Sequence, residues 1–280
     1  MSKEISIKEF LSSRTNTPIV DVRSPKEYQL AHIPGAINIP LFNDAERAMV
    51  GTTYKHEGRE KAITQGLELV GPKMAEFVAE GKRILQEHQA VYITMHCWRG
   101  GMRSKSMATL FNFAGIPTLT ITGGYKVYRN AVQQSFANPL HLIVLGGKTG
   151  SAKTAILQAL QQQGEQIIDL EKLANHKGSA FGQLGEDPQP SSEYFENLLF
   201  EKIQQLDSTK RIWIEDESHL IGKVFIPETF WEQMRNAQVI YCDFPIEERI
   251  NYLVTTYGNF DHEGVIESVK RITKKLGGQH

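Results

Sequence analysis

AVYITMHCWRGGMRS, residues 90–104, runs an apolar segment straight into a cysteine, two glycines and two arginines, and then into a helical pattern. Ala90–Met95 reads as a buried strand, because a short unbroken apolar run suits a sheet covered on both faces. Ser104–Phe113 has helical apolar spacing, with Met107, Leu110 and Phe111 on one side and Gly115 placed as its stop. The alternation extends both ways. Pro18–Val22 is another buried strand, and Thr118–Thr122 a third, closed by Gly123-Gly124. A polar stretch at 133–139, QQSFANP, then makes a seam, after which the pattern restarts. His141–Leu145 enters a glycine-rich turn and a helix from about Lys153 to Gln163, and Gln166–Leu170, Arg211–Glu215 and Gln238–Cys242 supply three further strands. Strands alternating with helices predict an α/β fold with mainly parallel sheets. Two separate units are expected, over residues 1–137 and 138–280.

Bulk properties narrow the field less. With 280 residues, 40% of them hydrophobic and 22% charged, the chain can bury ordinary globular cores. No stretch approaches the roughly 20 apolar residues that span a bilayer, so no membrane partner is expected. MSKEISIKEF at the start is charged and amphipathic, unlike a signal peptide. Two cysteines form no disulfide framework, which points to a reducing cytoplasm. A net charge of −1 leaves any RNA contact to local patches such as Lys270, Arg271, Lys274 and Lys275.

The strand delivers Cys97 to the carboxyl edge of a parallel sheet, where α/β folds place their ligands. Backbone amides, the positive end of the following helix, Arg99 and Arg103 converge there, and all favour a thiolate. Gly100 and Gly101 let the loop curl into an anion nest. A structural cysteine is the plainer reading, but two arginines and two glycines make a poor inert core. Cys97, Arg99 and Arg103 are therefore the candidate catalytic group. Cys242, in the apolar strand Val239–Phe244, is expected in the core.

GGKTGSAKT, residues 146–154, follows a strand and opens a helix. It matches the phosphate-binding pattern G-x-x-x-x-G-K-[ST] from Gly147 to Thr154, except that Ala152 replaces the last glycine. Gly147, Lys148, Gly150, Ser151, Lys153 and Thr154 are the candidate phosphate-binding residues, with Lys153 neutralising charge and Thr154 able to reach magnesium. A methyl group at 152 either crowds the anion or is tolerated if that residue already has helical angles. Ile212–Glu217 (IWIEDE) resembles a strand ending in carboxylates. Glu215, Asp216 and Glu217 there, with Asp169 and Glu171 after the Ile167–Leu170 strand as a second acidic edge, are candidates for magnesium, the alternative being a solvated acidic turn.

Asp21-Val22-Arg23, then HIPGAINIP at 32–40, then the Cys97 loop resemble a rhodanese domain over most of residues 15–137. Five residues separate Cys97 from Arg103, one more than sulfurtransferase loops commonly have. That spacing also occurs in rhodanese-like dual-specificity phosphatases, so a cysteine phosphatase or sulfurtransferase fused to a nucleotide-binding domain is the alternative. Further segments are ERAMVGTTYK at 46–55, GGYKVYR at 123–129 and DLEKLANHKGSAFG at 169–182. Together with the two loops they resemble the bacterial tRNA 2-selenouridine synthases, from about residue 5 to the end. This implies a rhodanese-like domain followed by a P-loop NTPase-like α/β domain. Family members usually continue through a helical region beyond Leu276-Gly277-Gly278.

The resemblance also implies an activity. The family geranylates the sulfur of wobble 2-thiouridine in tRNA from geranyl diphosphate, then replaces the S-geranyl group with selenium from selenophosphate. On that reading Cys97 carries selenium as a perselenide, with Arg99, Arg103 and the loop amides holding the donor. The P-loop takes the diphosphate of the prenyl donor, with ATP or a tRNA phosphate as alternatives. No tightly bound cofactor is expected. Tyr125, Lys126 and Arg129 interleave aromatic and basic groups, able to stack on bases and touch phosphates or else to pack a seam. His176 and Lys177 lie in a glycine-punctuated loop suited to tRNA or substrate contact.

Overall fold

A computed structural model describes residues 3–13, 17–179, 181–258, 266 and 268–270. Arg271, Lys274, Lys275 and Leu276-Gly277-Gly278 fall outside the described residues. The chain forms two compact units, Met1–Val132 and Gln133–His280.

The first unit contains β1 (Lys3–Ile5), α1 (Ile7–Ser12), β2 (Ile19–Asp21), α2 (Pro25–Leu30), β3 (Ile37–Asn38) and α3 (Asp44–His56). It continues with α4 (Arg59–Val70), α5 (Met74–Glu87), β4 (Ile93–His96), α6 (Met102–Phe113), β5 (Thr118–Ile121) and α7 (Gly124–Ser135), the division between units falling within α7. Its sheet has the order β1-β5-β4-β2-β3, and every pairing is parallel. β4 has neighbours on both sides, and all four of its residues, Ile93, Thr94, Met95 and His96, are buried. The expected strand from Ala90 starts late, at Ile93. Ala90 N–H instead donates to Leu85 O at the end of α5, and Val91 is exposed. One core packs Val20, Ile93 and Met95 of the sheet against Met107 and Phe111 of α6 and Ile84 of α5.

Beneath this sheet edge lies a buried ion pair. Asp21 and Arg23 are 0% and 1% exposed. The guanidinium donates to both Asp21 carboxylate oxygens and to Ala31 O, and lies 3.9 Å above the Tyr125 ring. Such a pair contributes little net stability when intact, but removing one partner strands a charge.

The second unit contains β6 (Leu142–Gly147), α8 (Lys153–Gln162), β7 (Gln166–Ile168), α9 (Leu170–Ala174), α10 (Ser192–Gln204) and β8 (Ile212–Glu215). The hairpin β9 (Leu220–Ile221) and β10 (Val224–Phe225), α11 (Glu228–Asn236), β11 (Gln238–Cys242) and α12 (Ile246–Tyr257) follow. The main sheet is parallel, in the order β11-β6-β8-β7. β7 ends before Asp169 because that side chain accepts the Lys172 N–H and starts α9. β11 departs from the expectation of core. It is an edge strand with Val239, Ile240 and Tyr241 exposed, and Cys242 is only half-buried. None of the helices among the described residues is long and apolar enough to cross a membrane.

Replacing Asp21 with alanine leaves the Arg23 guanidinium buried without its countercharge. The first unit should lose about 3–5 kcal/mol, read as a shift in its chemical denaturation midpoint.

Candidate functional site

Cys97 sits at the carboxyl end of β4, in the middle of the first sheet. The loop that follows is clamped to the turn after β5 by direct backbone contact. Tyr125 N–H donates to Cys97 O and Lys126 N–H to Trp98 O, each at 2.9 Å. Gly124 has φ +60°, and a Cβ there would fall on Cys97 O and Gly100 N. Glycine is needed at 124 on both counts. With its carbonyls engaged, the loop presents the opposite side of its peptides inward. Among the described residues, nothing accepts a hydrogen bond from the N–H of Trp98, Arg99, Gly100 or Gly101. α6 begins at Met102 and adds the N-terminus of a 12-residue helix. Open amides and a helix start together make an anion seat beside the sulfur.

The two arginines of the loop differ. Arg99 is exposed at the rim. Arg103 is largely buried and donates to both oxygens of Glu27, at 2.5 and 3.2 Å. Burial pushes the Glu27 carboxyl up, but the hydrogen bonds and charge of Arg103 outweigh it and hold it below the usual range. Glu27 also caps α2 by accepting Ser24 N–H, so α2 fixes where the Arg103 head stands. Ser104, fully buried one residue on, places its hydroxyl 3.3 Å from Cys97 Sγ and 3.3 Å from Gly101 O, able to donate to either. Sequence reasoning quoted Ser104 without giving it a role and missed Glu27. Glu27 lies 76 residues from Arg103, beyond the reach of any local pattern. The serine next to the arginine was a legible signal.

Tyr125 and Arg129 are buried, and the Tyr125 ring is occupied by Arg23, Trp98 and Tyr128. Of that expected base-stacking set only Lys126 faces solvent. The Tyr125 ring serves packing beside the thiol loop.

In the second unit, the phosphate loop joins β6 to α8 and walls a cavity of about 430 Å³. Gly147, Gly150, Ser151, Lys153 and Thr154 line it, while Lys148 points to solvent outside the lining. Lys153 Nζ donates to Gly147 O at 3.1 Å, folding over the loop's mouth. Ala152 has φ +54° and ψ +30°, the left-handed region rather than the right-handed helical angles that would have explained its tolerance. The alanine thus occupies a glycine's conformation at a cost of roughly 1–2 kcal/mol.

The acidic edge does not converge. Asp169 caps α9, Asp216 pairs with Arg235, and Glu215 accepts Glu171 N–H with its other oxygen unpartnered. Burial, then the charge of Asp169, pushes the Glu215 carboxyl well above its usual range. Two other acids face the cavity. Glu171 accepts the Thr154 hydroxyl at 2.9 Å, and Glu217 lies against Glu171. Burial and the neighbouring Glu171 charge, opposed by Lys153, push Glu217 up to about 8. Burial likewise raises Glu171, against Thr154 and Lys153. Both carboxyls are thus held above the ordinary carboxylate range. Gly178, at φ +63°, covers it where a Cβ would strike Glu171 Oε1. Among the described residues no group of three or more His, Cys, Asp or Glu side chains is arranged to hold a metal ion.

Lys177 also lines the cavity and is paired with Glu186 at 2.8 Å, so the structure brings it to the phosphate loop. Burial lowers the affinity of His176 for a proton despite the Glu186 charge, leaving the ring neutral. Tyr252, Leu253 and Thr256 of α12 close the far side, and Arg249 donates to Thr149 O. No motif announced that wall.

The family model described as the tRNA 2-selenouridine synthase AAA domain matches residues 140–280, and the rhodanese-like domain model matches residues 6–131. Curated relatives named tRNA 2-selenouridine synthase include one from Nitrosomonas europaea, 37% identical and covering 86% of this chain and 64% of that protein. The Bdellovibrio bacteriovorus relative is 40% identical, with 86% and 65% covered. The Sulfurovum relative is 37% identical, with 94% and 77% covered. The chain therefore spans a little under two thirds of the first two relatives' length.

Two outcomes follow from this geometry. Gly124→Ala forces the loop off its turn and should abolish turnover while also changing the alkylation rate of Cys97. Glu217 binds its proton more tightly folded than unfolded, so its contribution to stability is full below the ordinary value of 4.5 and lost as pH rises through about 8. Glu217→Gln cannot ionise. Its melting temperature should fall less than the wild type's between about pH 5 and about pH 9.

Proposed function

The chain belongs to the tRNA 2-selenouridine synthase family, and on that premise we propose that it is a tRNA-modifying transferase placing selenium at C2 of wobble 2-thiouridine. It first moves a geranyl group from geranyl diphosphate to the sulfur, then exchanges the S-geranyl group for selenium supplied by selenophosphate. The observation that carries this reading is the presence of two distinct anion seats on one chain. A thiol loop has open amides, and a phosphate loop has its lysine folded over the cavity. The reading requires two phosphorus-bearing substrates of different size.

The phosphate loop takes the diphosphate. Its amides and Lys153 stabilise the charge that develops on the leaving group as the geranyl carbon departs. Lys177, on the same cavity wall, adds a second cation. The raised proton affinity of Glu171 and Glu217 reduces the repulsion those acids would otherwise exert on the incoming anion. The Cys97 loop takes selenophosphate, whose tetrahedral head suits a nest of amides with Arg103 beside it. Exposed Arg99 and Lys126 are positioned to meet the tRNA backbone at the first unit's rim.

Mass spectrometry of nucleosides from 2-thiouridine tRNA, incubated with selenophosphate with and without geranyl diphosphate, tests this. Geranylated and selenated nucleosides should appear with the intact protein, and absence of both sinks the reading. Lys153→Ala should cut the geranylation rate by roughly 100-fold or more. If geranyl diphosphate leaves binding of a fluorescent nucleotide unaltered, a phosphate loop serving ATP is favoured instead.

A further inference from the structure

Cys97, Arg103 and Ser104 form a C-x5-R-S loop in which the serine hydroxyl reaches the sulfur at 3.3 Å. Four consecutive amides, Trp98 to Gly101, have no acceptor among the described residues. A thiol at the base of such a ring faces the centre of any tetrahedral anion seated there. For selenophosphate chemistry that centre is phosphorus, with selenium or oxygen at the corners. We propose that Cys97 is a phosphoryl acceptor, attacking the phosphorus of a Se-phosphorylated nucleoside to release 2-selenouridine. The proposal rests on the reading above and departs from the perselenide that the family resemblance implies on Cys97, since the group carried is phosphate.

Electron balance favours this assignment. If the thiolate attacked selenium, an S–Se bond would form and the Se–P pair would go to phosphorus, leaving phosphite, or an added oxidant would be needed. The alternative is redox-neutral throughout. Selenophosphate attacks C2 of the S-geranyl nucleoside through selenium. A C–Se bond forms, the C–S bond breaks, and the electron pair leaves with geranylthiolate, which takes a proton from water. The nucleoside now carries Se–PO3. Cys97 Sγ then attacks phosphorus, so that an S–P bond forms and the Se–P pair passes to selenium, delocalised over the pyrimidine. Water finally attacks the phosphocysteine. A P–O bond forms, the S–P pair returns to sulfur, and the water proton goes to solvent.

Each step has a residue. The loop amides and Arg103, its head oriented by Glu27, take up the charge on the three phosphoryl oxygens. Departure of a delocalised selenolate asks for no general acid, which fits a loop whose neighbouring carboxyl, Glu27, is held ionised. Ser104 acts on the last step, donating to the sulfur as it leaves phosphorus. It is positioned for the sulfur, buried and off the anion's open face.

The test uses the full chain with geranylated 2-thiouridine tRNA and selenophosphate, quenched rapidly in alkali. Three results are expected: phosphate as the phosphorus product by 31P NMR, a phosphorylated Cys97 peptide, and more of that peptide in Ser104→Ala. Cys97→Ala should accumulate a nucleoside one HPO3 heavier than 2-selenouridine. Phosphite together with a perselenide on Cys97 would overturn the proposal, as would 2-selenouridine formed by Cys97→Ala at the wild-type rate. Those outcomes leave the tRNA reading intact. No selenated nucleoside from the wild type overturns both.

Discussion

The Arg23 guanidinium has no water to fall back on, so all of its partners must be supplied from inside the first unit. Asp21 on β2 takes its charge, Ala31 O at the end of α2 takes a further N–H, and the Tyr125 face covers the plane. These contacts fix three elements that meet around the thiol loop. Tyr125 in turn donates its backbone N–H to Cys97 O, and α2 presents Glu27 to Arg103. A buried charge thus does for the loop what a larger core would do for a strand end. It leaves one arrangement satisfied and all others stranded.

The second unit uses buried charge differently. Three of its acids are crowded together under burial, which raises their affinity for protons. Glu215, Glu171 and Glu217 all sit above the normal carboxylate range, and burial is the first cause in each. The phosphate loop therefore backs onto a region of reduced negative charge, although its sequence reads as an acidic edge. Counting carboxylates in IWIEDE gives the wrong local electrostatics, because charge depends on the surroundings as much as on residue type.

The fold was largely legible. The segments Pro18–Val22, Thr118–Thr122 and Arg211–Glu215 each contain a strand and His141–Leu145 holds most of one, since strands covered on both faces are rich in apolar and β-branched residues. Boundaries slipped where a side chain or helix end claimed the backbone first, as at Ala90 and Asp169. β11 misled because an apolar run says that a strand exists, not whether its outer edge is covered. In the sites, motifs located Cys97 and Lys153 because their chemistry depends on local spacing. Glu27 and the α12 wall reach those motifs only through tertiary structure. Tyr125 and Arg129 had the composition of a nucleic-acid contact and the position of a core, and the pattern could not separate the two.

The raised proton affinity of the two acids under Gly178 has a thermodynamic consequence. An anion entering the phosphate-loop cavity makes ionisation of Glu171 and Glu217 harder, so capture of the anion and uptake of hydrogen ions are coupled. The heat of binding should then contain a contribution from whatever buffer surrenders those ions. The same ligand titrated in buffers of different ionisation enthalpy would give different apparent heats but one common affinity at fixed pH. Gly178, by leaving room for two carboxyl groups to touch, makes the cavity a proton-linked receptor instead of a fixed positive cradle.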